Sequence, residues 1–134
     1  MRMLAIGFIL GLLFTEGVMS AEAISDKEWV ITTITNVHAS AKTTITFRAD
    51  GSVGGDAACN SFNGLYEESD GALSISMLMS TERACPALDE EGRFFAALSA
   101  VTAWRSSLGS LELLDQNNIP LIVGYPASEV DSQH

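Results

Sequence analysis

Residues 43–55 read TTITFRADGSVGG, and the fold prediction starts from this stretch. Apolar and polar side chains alternate in its first half, which predicts a half-buried strand with Ile45 and Phe47 on one face. The dipeptide Asp50-Gly51 comes next and is typical of a hairpin turn, because glycine accepts a positive φ. The stretch therefore predicts two antiparallel strands joined by a tight turn.

A second hairpin is predicted by the same logic. Residues 64–68 and 72–77 flank Asp70-Gly71 and are predicted to pair as strands. The candidate buried positions of this hairpin are Leu65, Leu73 and Ile75. Three further strands are predicted at residues 29–35, 111–114 and 119–123, with residues 106–110 as a loop.

One helix is predicted, at residues 88–103. Acidic residues occupy its first turn, where the positive end of the helix dipole favours them. Phe94, Leu98 and Val101 lie on one face at helical spacing, so the helix is expected to pack an apolar stripe against the sheet. The pattern predicts an α+β domain: a small, curved, barrel-like antiparallel sheet of about six to eight strands with one main helix packed on it.

The first 23 residues are predicted to be a cleavable secretory signal. Arg2 precedes an apolar run over residues 4–14, and Ala21-Glu22-Ala23 fits the small-residue cleavage pattern. The run is shorter than the roughly 20 residues that a membrane span needs. An uncleaved N-terminal anchor is the alternative. A lipoprotein is not expected, because such a signal needs a cysteine at the cleavage point and the first cysteine is Cys59.

The chain after the signal is predicted to form one domain, residues 24–125, and a polar tail, residues 126–134. The whole chain has 134 residues and a net charge of −10, with its seven Lys and Arg residues scattered singly. Such an acidic chain should be repelled by nucleic acid and by anionic lipid. We expect a soluble exported monomer with no transmembrane span after signal cleavage.

Cys59 and Cys85 are the only cysteines. In an exported protein an even pair is more often bonded than free, so a disulfide is predicted. The bridge would stabilise the fold by about 3 kcal/mol on the chain-entropy model. Under the competing hypothesis Cys59 is a nucleophile, which requires a nearby base, and only His38 and His134 are available. We expect that the protein is not an enzyme.

Metal and cofactor sites find little support in the sequence. Two histidines and one cysteine pair do not supply the three or four ligands that zinc requires. The acidic cluster at residues 67–70 lacks the ligand spacing of a calcium loop and is interpreted as a solvated hairpin tip. The glycines near residue 51 do not form a phosphate-binding loop, and Gly54-Gly55 is interpreted as a strand bend or bulge. We expect neither a metal nor a cofactor.

One unusual constellation remains. It runs Gly55-x-x-x-Cys59-Asn60-x-Phe62-x-Gly64-x-Tyr66, then Thr81-x-x-Ala84-Cys85, then an acidic residue and Phe94 to Leu98. This pattern resembles the META-domain (HslJ-like, DUF306) family of bacterial envelope proteins, and the resemblance extends from Trp29 to about Val123. Two positions depart from the family pattern: Ala58 stands where glycine is usual, and Arg83 stands where methionine is usual.

The resemblance implies a non-catalytic secreted or periplasmic protein of envelope stress, heat shock or antibiotic tolerance. Such a protein would act by binding an unidentified protein or envelope component. The motif residues themselves indicate a scaffold, since glycine, asparagine, cysteine and aromatic residues supply no poised acid or base. The residues also leave open a carrier of a small apolar ligand held between sheet and helix. The candidate lining residues of that carrier are Phe62, Phe94, Phe95 and Trp104.

Overall fold

The computed structural model describes residues 24–128. They form the strands β1 (Glu28–Ile34), β2 (Val37–His38), β3 (Thr44–Phe47), β4 (Ser52–Ala57), β5 (Asn60–Ser69) and β6 (Ala72–Ser80), the helix α1 (Leu88–Ala100), and the strands β7 (Ala103–Ser107), β8 (Ser110–Leu114) and β9 (Pro120–Pro126). Neighbouring strands pair antiparallel in the order β1-β3-β4-β5-β6-β7-β8-β9, and β9 pairs back with β1. Eight strands thus close into a ring, and β2 pairs with β1 outside it.

The predicted α+β class is confirmed, with the main helix packed on a curved antiparallel sheet. The predicted signal, residues 1–23, and most of the predicted polar tail lie outside the described residues. Pro126, the first residue of that predicted tail, is the last residue of β9. Within residues 24–128, no helix is both long enough and apolar enough to cross a membrane.

Both predicted hairpins form. Gly51 has φ +92° in the β3–β4 turn, and Asp70 and Gly71 have φ +51° and +92° in the β5–β6 turn. The prediction that Leu65 is buried is wrong, since it is 50% exposed. Alternate residues of β5 face the core, beginning with Asn60, and this parity turns Leu65 outward.

The predicted C-terminal end of the helix is also wrong. The helix ends at Ala100, and Ala103–Ser107 forms β7, partly within the predicted loop at residues 106–110. Strand β7 pairs with β8 along its whole length across a turn in which Leu108 and Gly109 have positive φ. This long pairing overrides the weak strand propensity of the segment.

Helix α1 packs its apolar stripe into the core as predicted. Phe94 and Leu98 are fully buried, and Val101 just beyond the helix is nearly so. The rings of Phe62 on β5 and Phe94 meet edge to face, with centroids 5.5 Å apart. This packing fixes the N-terminal turn of α1 close to the start of β5, where the motif residues begin.

Candidate functional site

Asn60 is the centre of the motif in space. The residue is 4% exposed. Its Nδ2 donates to the Arg83 carbonyl at 3.0 Å and to Glu91 Oε2 at 2.8 Å. Its Oδ1 accepts from the Thr81 hydroxyl at 2.8 Å and from the Arg83 N–H at 2.6 Å. A side-chain amide has two N–H donors and two acceptor lone pairs, so Asn60 is fully hydrogen-bonded within the chain.

Glu91, in the first turn of α1, completes the arrangement. Its Oε1 accepts from the N–H of Cys59 at 3.1 Å and from the N–H of Asn60 at 2.9 Å. The carboxylate therefore stabilises the turn between β4 and β5 as well as the Asn60 amide. We call Asn60, Thr81, Glu91 and the backbone of Arg83 the Asn60 cluster. It joins β5, the segment after β6, and the helix.

A disulfide lies beside the Asn60 cluster. Cys59 and Cys85 are bonded, with their Cα atoms 5.7 Å apart and a sequence separation of 26. The predicted pairing is thus present, and neither sulfur is a free thiol. The bridge and the Asn60 cluster hold the segment after β6 at two neighbouring points.

A shallow surface depression of about 280 Å³ adjoins the cluster. Its lining residues are Asn60, Ser80, Thr81, Glu82, Arg83, Ala84, Leu88, Glu91 and Phe95. Within residues 24–128, no group of three His, Cys, Asp or Glu side chains is arranged to hold a metal ion. The polar atoms of the Asn60 cluster that border the depression form hydrogen bonds within the chain. The cluster therefore acts as a structural clamp that holds its segments together.

A known protein family shares this part of the chain. The family model for the META domain matches residues 22–125, which include the whole Asn60 cluster. The chain belongs to the META-domain family. No curated protein sequence matches it.

Solved structures share the fold of this META domain. The NMR structure of a protein from Burkholderia xenovorans has a TM-score of 0.64 and 21% identity, covering 90% of this chain and 99% of the other. A second NMR structure has a TM-score of 0.64 and 19% identity, covering 84% and 97%. A DUF4847 family protein from Bacteroides vulgatus has a TM-score of 0.53 and 20% identity, covering 62% and 57%. These likenesses concern the fold.

The two departures of this META domain from the family pattern have different consequences. Ala58 has φ +60°, a left-handed conformation that glycine adopts more easily. The alanine is therefore strained where the usual glycine would be relaxed. Arg83 contributes its backbone to the Asn60 cluster while the residue itself is exposed, so replacing methionine by arginine leaves that contact intact.

The motif glycines of the META domain allow close backbone approach. The predicted bulge at Gly54-Gly55 does not form, since Gly55 pairs with Phe62 without a register shift. A Cβ at Gly55 would collide with the Thr44 carbonyl group, and one at Gly64 would lie 2.9 Å from the Ser76 carbonyl oxygen. Both glycines are needed because neighbouring strands leave no room for a side chain.

The remaining motif residues lie apart from the Asn60 cluster or at its rim. Tyr66 packs edge to face on Phe47, with ring centroids 5.0 Å apart, and its hydroxyl donates to the Arg48 carbonyl at 2.7 Å. Burial, with acidic residues nearby, raises the pKa of Tyr66 above its usual value. Ala84 is exposed at the edge of the depression.

Of the aromatic side chains proposed to line a carrier cavity, the three phenylalanines pack on one another and Trp104 is buried. Phe62 contacts Phe94 and Phe95 with ring centroids 5.5 and 5.7 Å apart. Trp104 is 2% exposed, and its Nε1 donates to Glu68 Oε2 at 2.9 Å. These residues fill the space between sheet and helix with their own side chains.

Glu90 is a structural residue whose role the sequence did not reveal. Its Oε1 accepts from the N–H of Ser40 at 3.0 Å and from the Ser40 hydroxyl at 2.7 Å, while Oε2 accepts from the N–H of Ala41 at 3.0 Å. Burial alone would raise the pKa of Glu90, but these hydrogen bonds outweigh it and lower the pKa below its usual value of 4.5. An acidic residue at a helix start was the only signal in the sequence.

Glu90→Gln is expected to remove part of the acid sensitivity of the fold. A lowered folded-state pKa stabilises the protein above pH 4.5, and this stability is lost as the pH falls through the lowered value. At pH 7 the free energy of unfolding of the variant should be about 2 kcal/mol lower than that of the wild type, since the hydrogen bonds lose a charged acceptor. Urea titrations between about pH 7 and 3 should show the two curves converging.

The exposed Glu82 supplies the matched control for that titration. Glu82→Gln should track the wild-type protein at every pH. A gap between Glu90→Gln and the wild type that stays constant down to the lowest pH would contradict the assigned role of the Glu90 carboxylate.

Proposed function

We propose that this META-domain protein is exported to the periplasm and acts there without catalysis, by binding a protein or another component of the cell envelope. Its role would be tolerance of envelope stress, such as heat or an antibiotic. The observation that carries the proposal is the saturation of the motif: the Asn60 amide and the Glu91 carboxylate are occupied by internal hydrogen bonds. Because the motif residues hold the fold together, other residues on the surface of the domain would bind the partner.

The chemistry of the cysteines supports both the absence of catalysis and the export. A nucleophilic cysteine acts as a thiolate, whereas Cys59 and Cys85 are bonded to each other. Disulfides persist in oxidising compartments such as the periplasm. This agrees with the secretory signal expected at residues 1–23.

The test is complementation of a strain that lacks the gene. Heat and a hydrophobic antibiotic should impair this strain, and the full-length chain should restore its tolerance. The matched control is the same chain without residues 1–23, which should stay in the cytoplasm and fail to restore tolerance. Full tolerance in the deletion strain, or rescue by the control, would overturn the proposal.

The carrier of a small apolar ligand is the second hypothesis, and the packing of Phe62 on Phe94 and Phe95 argues against it. Melting temperatures measured with a panel of lipids and hydrophobic drugs separate the two. We expect no ligand in the panel to raise the melting temperature. A saturable rise would favour the carrier.

A further inference from the structure

Strand β6 has an open edge. Strand β5 pairs with it from Ala72 to Ser80, but β7 pairs with it only where Ala72 faces Ala103. The N–H of Leu73 then donates to the Thr102 carbonyl at 3.0 Å. Beyond Leu73, no backbone hydrogen bond of β6 within residues 24–128 reaches an element other than β5. Residues 74–80 therefore form a sheet edge.

The orientation of the backbone at this edge is set by the β5–β6 register. Ile75 pairs with Tyr66, whose N–H donates to the Gly51 carbonyl at 2.9 Å, on the side away from β6. Residues of an antiparallel pair alternate between those that exchange hydrogen bonds and those that do not. The N–H and C=O of Ile75 thus point to the same open side as the N–H of Leu73.

The edge lacks most of the protection that natural sheet edges carry. No charged residue and no proline occurs from residue 72 to residue 81, although both are common guards against pairing with another chain. A bulge at Met77, with φ +57°, is one such device, and helix α1 contacts part of β6. Met77 and Met79 are 71% and 74% exposed, and Leu65 on the adjacent strand is 50% exposed. Flexible methionines on a surface are suited to contact with a partner.

The place where β6 and β7 separate is an acidic cleft of about 430 Å³. Its lining residues are Glu67, Glu68, Ser69, Ala72, Leu73, Ser74, Val101 and Thr102. The Glu68 carboxylate accepts from the Gly71 N–H and the Trp104 indole, while Glu67 is exposed. Together with the net charge of −10, the cleft favours a cationic occupant.

We propose that β6 accepts an extended segment of a partner polypeptide as an additional strand. The segment is apolar in its centre and carries lysine or arginine, which reaches Glu67 in the cleft. Its backbone pairs with the N–H and C=O of Ile75, and its apolar side chains contact Met77 and Met79. A second copy of this chain fits less well, because two copies of an acidic chain repel each other. This inference rests on the proposed function and names the site and class of partner.

The test uses the chain from residue 24 to residue 134, labelled with ¹⁵N and titrated with the peptide acetyl-Lys-Val-Thr-Val-Thr-Val-Lys-amide. We expect saturable shifts of the amide signals of residues 73–80. We also expect the Ile75 amide to exchange with solvent at least about tenfold more slowly when the peptide is bound. The same peptide with both lysines replaced by glutamate should bind at least about tenfold more weakly.

Variants of the exposed methionines locate the site. Met77→Lys with Met79→Lys should weaken peptide binding by about tenfold, because lysine on an edge opposes strand addition. Both side chains are largely exposed, so the fold should be retained, as amide spectra will show. The matched control is Leu108→Lys in the β7–β8 turn, where Leu108 is fully exposed, and it should bind as the wild type does.

Three outcomes of the titration would overturn the inference. The first is peptide-induced amide shifts that map away from β6, and the second is an Ile75 amide that is already protected from solvent exchange without peptide. The third is concentration-dependent shifts of residues 73–80 without peptide, which would make a second copy the occupant. Complementation with the Met77→Lys, Met79→Lys chain keeps the two proposals apart. Full restoration of tolerance by a variant that no longer binds peptide would overturn the edge site and leave the proposed function standing.

Discussion

Asn60→Ala is expected to lower the free energy of unfolding by about 3 kcal/mol. The substitution removes all four hydrogen bonds of a buried amide. It also leaves the Glu91 carboxylate with one donor fewer and the Arg83 backbone without its partner. Losing a partner of a buried polar group costs more than the net value of the bond, because the remaining group stays desolvated. Urea denaturation followed by circular dichroism measures the change.

Asn63 provides the control, because it lies on the same strand with its side chain exposed. Asn63→Ala should change the free energy of unfolding by less than about 0.5 kcal/mol. Asn60→Asp tests the polarity of the cluster, since it places a carboxylate oxygen where Nδ2 donates to Glu91. That variant should be at least as unstable as Asn60→Ala at pH 7. Equal stability of all three variants would show that the cluster contributes nothing.

The sheet and helix were predictable because their signals are local. Alternation around Ile45 and Phe47 and the turn at Asp50-Gly51 indicate a hairpin wherever the segment lies in the fold. The helical spacing of Phe94 and Leu98 indicates their burial in the same way, and the structure confirms it. Elements whose hydrogen bonds and apolar faces are set by neighbouring residues can be read directly from the chain.

The errors arose where distant residues decide the outcome. Leu65 is apolar, yet Phe62 and Tyr66 set the parity of β5 and turn it outward. Strand β7 exists because β8 pairs with it. The helix dipole explains acidic residues in the first turn of α1, but the carboxylates of Glu90 and Glu91 also bind the loops at residues 40–41 and 59–60. No local pattern places those loops over the helix start.

The candidate site was predictable only as a set of residues. The resemblance singled out Asn60, Thr81 and Cys85, but their arrangement as a clamp required the structure. The departure at Arg83 pointed to a change at its side chain, whereas the fold uses the backbone of this residue. The open edge of β6 could not be predicted from the sequence either, since it depends on where β6 and β7 separate.

Replacing both cysteines with alanine is expected to lower the free energy of unfolding by about 3 kcal/mol. The bridge joins residues 26 apart in sequence, and its loss frees that loop in the unfolded chain. Urea denaturation of the Cys59→Ala, Cys85→Ala protein against the oxidised wild type measures the loss. The reduced wild type is the matched control and should resemble the variant. A loss below about 0.5 kcal/mol would mean that the bridge does not constrain the unfolded chain.

The disulfide and Asn60 should also be energetically coupled. Both hold the segment after β6 against the start of β5, Cys85 by its bond to Cys59 and Arg83 by its hydrogen bonds to Asn60. Without the bridge, the segment moves away from β5 more readily, so the Asn60 hydrogen bonds stabilise the fold less. Substituting Asn60 then costs less free energy of unfolding. In a double-mutant cycle, Asn60→Ala should therefore cost at least about 1 kcal/mol less in the cysteine-free protein than in the oxidised one. Effects that add within about 0.5 kcal/mol would show that the clamp and the bridge act independently.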